Sequence, residues 1–345
     1  FNDEDVPLFI DAEPLRSEPQ GFAPEQMVRC DACLRANPPT RTSCLYCAAS
    51  LPASEANAAL QVPTLRKLEK WEQGFNVILW PGQAQGRADE TLQTMAQLLR
   101  LNVEDIKRLL EAGEALPVAR ASTPDEAALI ERKLNEMSVK VFLLADQELG
   151  LEESATQRAR ALELTESALL FYPAGGGEAS CVSWNELSLL VSGRLFVREI
   201  EVEERKGRKA EQEIVDAREL SADEAVLDIY TAQGNAAWRI RSGNFDFSCL
   251  GARKHLVAAQ NFSTLVEILR VRATEAVFDD SYNRVRRELA IAWPLEQQTE
   301  SRGWNRKRPG QVSTESVTRS DNELQFTRHS RLRRYLQQHR LEVNV

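Results

Sequence analysis

Four cysteines, Cys30, Cys33, Cys44 and Cys47 in the run CDACLRANPPTRTSCLYC, constrain this chain more than anything else in it. Two Cys-x-x-Cys pairs separated by ten residues allow four thiolates to close around one tetrahedral zinc ion. Each competing use of the quartet requires something the sequence does not supply. A redox Cys-x-x-Cys pair sits between a strand and a helix. This segment is instead turn-rich, with Pro38-Pro39 inside it and Gly21-Phe22 ahead of it. Two disulfides belong to an oxidising compartment, and Cys181 and Cys249 do not extend the set into a disulfide framework. A catalytic zinc keeps an open position for water; four Cys fill the shell, and no His precedes His255. The expectation is one structural Zn2+ that folds a segment too short to bury a core of its own.

The stretch from Cys30 to Pro52 resembles the bacterial zinc-ribbon module. A polar Asn-Pro-Pro follows the first pair, and small residues lead to Leu51-Pro52 after the last Cys. Asn37 also stands where Ran-binding-protein type zinc fingers carry an Asn. Those fingers place a Trp just before the first Cys for stacking on RNA. Here Val28-Arg29 stand there, which speaks against single-stranded RNA binding by the ribbon. The resemblance implies an attachment module and leaves open what is attached.

At 345 residues and 43% hydrophobic content, the chain has material for two or three domains with real cores. Apolar runs such as Val141 to Ala145 fit buried strands and fall far short of a membrane span. No signal peptide is visible, so a cytoplasmic setting without membrane insertion is expected. A net charge of −9 argues against general nucleic-acid affinity. That charge is uneven: residues 1–27 carry seven acids against Arg16, and residues 301–345 carry ten Lys/Arg against four acids. These ends can be solvated, can pair with each other, or can meet partners.

The pattern divides the chain into an acidic leader (1–27), the zinc ribbon (28–52) and a small, polar linker (53–72). A compact α/β pattern follows over 73–146. Phe75 to Leu79 reads as a strand, and Leu92, Met95, Leu98 and Leu99 give helical spacing. Asn102 caps a second helix that Gly113 ends. Pro117 to Ala121 is a short strand, Thr123-Pro124 starts a third helix, and Val139 to Leu144 closes the unit. This β-α-α-β-α-β order resembles the C-terminal domain of the bacterial ribosomal stalk protein, a fold shared by the Clp-protease adaptor. The stalk family's Gly-Leu-Gly-Leu-Lys turn is Leu99-Arg100-Leu101-Asn102-Val103 here, and the adaptor family's His-x-x-Gly falls on Leu110-Glu111-Ala112-Gly113. The resemblance therefore implies a fold and helix-face docking, and neither family's partner.

Residues 147–160 read as a helical connector. From Ala161 to about 275 the period becomes strand-like, with runs at Leu162–Leu164, Ala168–Tyr172, Cys181–Trp184, Leu187–Val191, Leu195–Val202, Ala225–Tyr230, Ala236–Ile240 and Phe245–Leu250. A helix from about Phe262 to Val271 follows, with Asn261 as its cap. Short antiparallel strands closed by one helix resemble a pleckstrin-homology-like β-barrel, particularly the bacterial type with a Trp in its third strand, here Trp184. Phosphoinositide binding by such barrels uses Lys/Arg in the first hairpin. That hairpin here is PAGGGE, which disfavours lipid binding. Its glycines make a turn, since neither Gly-Lys-Ser/Thr nor a helix follows. The run EVEERKGRKAEQE (201–213) has balanced charge and reads as a solvated loop. The whole is a multidomain α+β chain.

Catalytic candidates are few. Cys181, Cys249 and His255 would need thiol and base within hydrogen-bond reach, and both Cys stand in apolar, strand-like contexts that suit inert thiols. Asp279-Asp280 lack any sign of a perturbing cleft. Residues 276–345 read as a partly extended basic tail with a short helix, in which Arg328, Arg331, Arg333 and Arg334 surround Leu332, Tyr335 and Leu336. Trp304 lies between Arg302 and Arg306. That tail can dock on an acidic partner or RNA, or pack on its own chain. The expected function is a non-enzymatic zinc-binding adaptor or scaffold with protein partners. The alternatives are RNA binding through the ribbon and tail, and an unrecognised enzyme.

Overall fold

The computed structural model describes residues 21–52, 57, 60–69, 71–82, 88–151, 156–206, 212–234, 237–308 and 311–339, with side chains at all of these except 203–206, 212–216, 302–308 and 311–315. The first 20 residues of the acidic leader lie outside this set. The chain is mixed α+β and divides into two compact units, Phe1–Thr64 and Leu65–Val345.

The first unit contains a 3-10 turn, Pro24–Gln26, and two short antiparallel strands, β1 (Val28–Arg29) and β2 (Ala36–Asn37). Its buried apolar cluster consists of Cys30, Cys44 and Leu51, with Val28, Cys33 and Ala49 packed at its edge.

In the second unit, β3 (Phe75–Leu79), α1 (Asp89–Leu99), α2 (Val103–Glu111), β4 (Leu116–Ala121), α3 (Pro124–Glu136) and β5 (Val141–Ala145) fall in the order β-α-α-β-α-β. The local chemistry explains the boundaries. The Asn102 side chain accepts the Asp105 N–H and starts α2, and Thr123 does the same for Glu126 ahead of Pro124. Gly113 leaves α2 at φ +69°, a conformation that favours glycine. The three strands pair antiparallel in the order β4-β3-β5.

The remaining strands form a curled, half-barrel sheet. They are β6 (Gln157–Leu164), β7 (Ala168–Pro173), β8 (Ser180–Ser183), β9 (Leu187–Lys206), β10 (Gln212–Thr231), β11 (Ala237–Arg241), β12 (Val277–Asp279), β13 (Glu296–Arg308) and β14 (Gln311–Asp321). Their order is β13-β14-β9-β10-β11-β6-β7-β8, with β12 beside β9. The sheet is mixed, because β11 meets β6, and β12 meets β9, in parallel.

Both faces of this sheet are buried where β9, β10 and β11 cross its centre. Leu190, Leu227, Ile229, Trp238 and Ile240 point to one cluster, which α4 (Ala258–Arg272) covers with Leu265 and Leu269. Leu189, Val191, Val226, Tyr230 and Ala237 point to the other. There they join the α/β layer and two further helices, α5 (Tyr282–Leu289) and α6 (Glu323–Gln338). Alternate residues of one strand thus serve two cores. Gly193 permits one close approach: a Cβ there would meet the Phe326 ring at 2.6 Å and Tyr282 at 2.9 Å.

Several sequence expectations require correction. The strands expected as an all-antiparallel barrel over 161–275 lie in a mixed, curled half-barrel sheet that also takes in β12, β13 and β14. The tail at 276–345 is largely ordered structure: Glu296–Arg308 and Gln311–Asp321 pair as a hairpin on β9, and α6 runs 16 residues. Polar strands are hard to tell from extended chain when only the ladder, and no apolar face, identifies them. The same reason applies to 201–213, most of which lies in β9 and β10; residues 207–211 are outside the described set. Leu187–Val191 and Leu195–Val202 are one strand. The connector 147–160 is turn followed by β6, with 152–155 outside the described residues. Phe245–Leu250 is mainly 3-10 turn, because the Asp246 carboxylate accepts the Ser248 N–H and folds the chain there. Asn261 lies inside α4, whose cap is Val257, and its amide instead ties both backbone groups of His255. Within the supposed linker 53–72, residues from Leu65 onward belong to the second unit, where the Glu126 carboxylate accepts the Leu65 N–H at 2.7 Å.

Candidate metal centre

The two Cys-x-x-Cys segments fold as near copies of one another. Cys30 N–H donates to Arg35 O and Leu34 N–H returns to Cys30 O. Likewise Cys44 N–H donates to Ala49 O and Ala48 N–H returns to Cys44 O. Each loop closes through a residue in the left-handed region, Leu34 at φ 60° and Ala48 at φ 58°. Such a turn aims its two Sγ atoms at one point, and two such turns face each other here.

The four Sγ atoms all lie within 4.8 Å of one another, with Cys30–Cys47 at 3.6 Å and Cys33–Cys44 at 3.5 Å. A tetrahedron of sulfurs about 2.3 Å from a central ion has edges of about 3.8 Å. The set therefore fits one four-coordinate metal ion, and Cys30, Cys33, Cys44 and Cys47 can hold it.

Asn37 is the residue that locks the second pair. It is fully buried; its Oδ1 accepts the Leu45 N–H at 2.8 Å, and its amide donates to Arg35 O at 2.9 Å and to Cys44 Sγ at 3.4 Å. Burial opposes charge on Cys44, yet the Tyr46 and Cys47 N–H groups, the Cys33 thiol and Asn37 together bring it down to about 6. For Cys47 the Ala49 N–H favours ionisation, but burial and the crowding thiols of Cys33, Cys30 and Cys44 push it up to about 12. Four thiolates this close require a cation, and metal capture must release protons.

Beside the ligands, three large side chains face solvent: Leu34 is 62% exposed, Leu45 55% and Tyr46 57%. The Arg35 guanidinium sits 4.6 Å from the Tyr46 ring centroid.

The other sequence candidates fall elsewhere. Burial pushes the Cys249 thiol up to about 11, the reverse of what a nucleophile needs. Cys181 is exposed. Asp279 is drawn into a buried cluster with Ser281 and His329, residue types that suggest a catalytic triad. Its geometry does not fit that chemistry: the Ser281 hydroxyl donates to Asp279 at 2.6 Å, while His329 Nε2 is 3.3 Å from Ser281 and 3.8 Å from Asp279. All three are at least nine-tenths buried, and Arg333 Nε is 2.5 Å from the same carboxylate. Burial opposes the Asp279 charge, but His329, Arg333 and Ser281 outweigh it and hold the carboxyl well below the ordinary range.

Four basic residues of the tail helix, Arg328, Arg331, Arg333 and Arg334, lie against their own chain. Arg334 donates to Ser188 Oγ at 2.7 Å and to the carbonyls of Thr231, Ala232 and Gly234. Arg331 lies over the Tyr230 ring, Arg333 pairs with Glu114 as well as Asp279, and Arg328 is buried. The Trp304 cluster has side chains outside the described set. No helix among the described residues is long and apolar enough to cross a membrane. Comparison with known protein families, curated proteins and solved structures finds no match for this chain.

Proposed function

We propose that this chain is a non-enzymatic, zinc-binding adaptor of the cytoplasm that holds protein partners through its ribbon. The exposure of Leu34, Leu45 and Tyr46 around a closed four-cysteine set carries this reading. Four sulfur ligands leave no position for a substrate, so the ion's work is to hold the two turns and present these side chains. Zinc suits an all-thiolate tetrahedral set, and a reducing compartment keeps the thiols available for it. The β-α-α-β-α-β layer, resembling stalk and Clp-adaptor domains, and the curled sheet, with its likeness to pleckstrin-homology-like folds, serve as further docking modules. This step is by analogy of fold. Among the tail arginines, Arg333 and Arg334 are engaged in internal contacts and Arg328 is buried, which favours protein partners over RNA binding through that helix.

Affinity capture from native lysate tests the reading, with the intact chain, a Leu34→Ser/Leu45→Ser/Tyr46→Ser chain and a chain lacking 28–52. Proteins retained by the intact chain, insensitive to nuclease and lost from both variants, are the expected result. Retention unchanged in the triple variant, or capture abolished by nuclease, overturns it.

A further inference from the structure

A cavity of about 650 Å³ lies within the second unit, away from the four cysteines in sequence and lined entirely by residues from Leu65 onward. It is lined by Leu99–Leu101 between α1 and α2, by Val118–Arg120 of β4, by residues 65–69, and by residues from 291–298 with Leu324 and Arg328 of α6. The volume falls within the usual range for small-ligand pockets, about 300–1,000 Å³.

Its lining combines two chemistries. Leu65, Leu68, Leu101, Val118, Ile291 and Leu324 supply an apolar surface. The ionisable lining is unbalanced, with Arg66, Lys67, Arg100, Arg120 and Arg328 against Glu69 and Glu296. Arg66 is tied to Glu72 by two hydrogen bonds, and Arg120 is tied to Asp146 and the Glu72 carbonyl.

Arg328 is different. Its residue is only 6% exposed, its Nε has no hydrogen-bond partner, and its Nη2 stands 3.9 Å from Asp146 Oδ2. That oxygen already accepts from Gly74 N–H at 2.9 Å and from Arg120. The charged groups that reach Arg328 are Arg120, Asp146 and Glu296; burial first, then Arg120, pull its pKa down to about 10. A buried guanidinium whose one charged contact is as long as 3.9 Å, and whose Nε–H has no acceptor, is held less fully than such groups normally are.

We propose that this cavity binds a small amphipathic carboxylate, its head group on Arg328 and its apolar body along Leu65, Leu101, Val118 and Ile291. The carboxylate is held as an anion by the guanidiniums of Arg328 and Arg120, both of which line the cavity. The carbon body replaces water over the leucines. A neutral molecule of the same shape gains the apolar part alone.

Calorimetric titration of the full chain with dodecanoate and with dodecanol, both below their aggregation limits, tests this directly. Dodecanoate is expected to bind with one-to-one stoichiometry and about 10- to 100-fold more tightly than dodecanol, the factor for one hydrogen bond to a charged group. Arg328→Gln should remove that preference. Leu295→Glu, an exposed change at the cavity mouth that leaves the core untouched, should weaken dodecanoate binding through charge repulsion. Equal affinity for the two ligands, no binding of either, or dodecanoate binding unaffected by both substitutions would overturn the proposal. Binding of a peptide ending in an apolar residue, with none of dodecanoate, would also overturn it.

Discussion

The two units of this chain reach order by opposite means. The first unit, proposed as a zinc ribbon, has a buried apolar cluster of Cys30, Cys44 and Leu51, two of which are proposed metal ligands. The second unit stacks two cores on the two faces of one sheet. At about 1.5–3 kcal/mol for each fully buried large apolar side chain, the described residues of the first unit gather little from burial. On the proposed reading it draws its order from the metal, while the second draws its order from contacts between distant segments. A buried polar chain illustrates the latter. Trp293 Nε1 donates to Asn76, Gln325 donates to the Trp293 carbonyl, Tyr282 donates to Gln325, and Asn322 donates to Tyr282. It runs from the α/β layer to α6 without a break, so these regions should unfold together.

The contrast can be broken most severely at Cys44. Cys44→Ser should abolish bound metal, at a loss of up to about 10–16 kcal/mol of coupled binding and folding in the ribbon. The melting of the second unit should stay where it was. Native mass spectrometry and calorimetry on one sample read both. The converse change is Asp228→Ala, which leaves the buried Arg239 without its bidentate partner at 2.7 and 2.8 Å. A loss of about 3–5 kcal/mol in the second unit is expected, measured by urea unfolding, with metal content unchanged.

Acid should separate the units more gently. The Asp279 carboxyl is held below its ordinary range, so its contribution is complete above the unfolded carboxyl pKa and is lost as pH falls below about 4. Denaturant midpoints of the second unit should drop across that window, and Asp279→Asn should flatten the drop. The smallest effect concerns backbone strain. Leu34 and Ala48 hold φ near +60°, which costs a residue with a Cβ about 1–2 kcal/mol. Ala48→Gly should therefore raise the ribbon's metal affinity by about tenfold, read by competition with a chromophoric chelator.

What could be read from the sequence follows the same division. The cysteine set was legible because its spacing is local, and so were Asn102, Thr123 and Gly113, whose roles depend on neighbours three residues away or fewer. Asn37 was visible as a position, but its grip on Leu45 N–H and Cys44 needed coordinates. The tail could not be read in this way. Arg331, Arg333 and Arg334 look like a solvated basic face, and only the distant Tyr230, Asp279, Glu114 and Thr231 make them internal. Leu187–Val191 was legible as a strand, but its burial on both faces was not, because nothing local names the layers that cover it. The cavity was hidden for the same reason, since its walls come from segments more than 200 residues apart.

Hydrogen exchange on the intact chain, with and without a zinc chelator, tests most directly whether one unit is built by metal and the other by packing. The account predicts that chelation abolishes protection at the Cys30, Leu34, Cys44 and Ala48 amides, whose bonds close the two turns. Amides of β3, β9 and β10 should exchange as before. Protection of the ribbon amides without metal, or loss of protection across the central sheet when metal is removed, would contradict it.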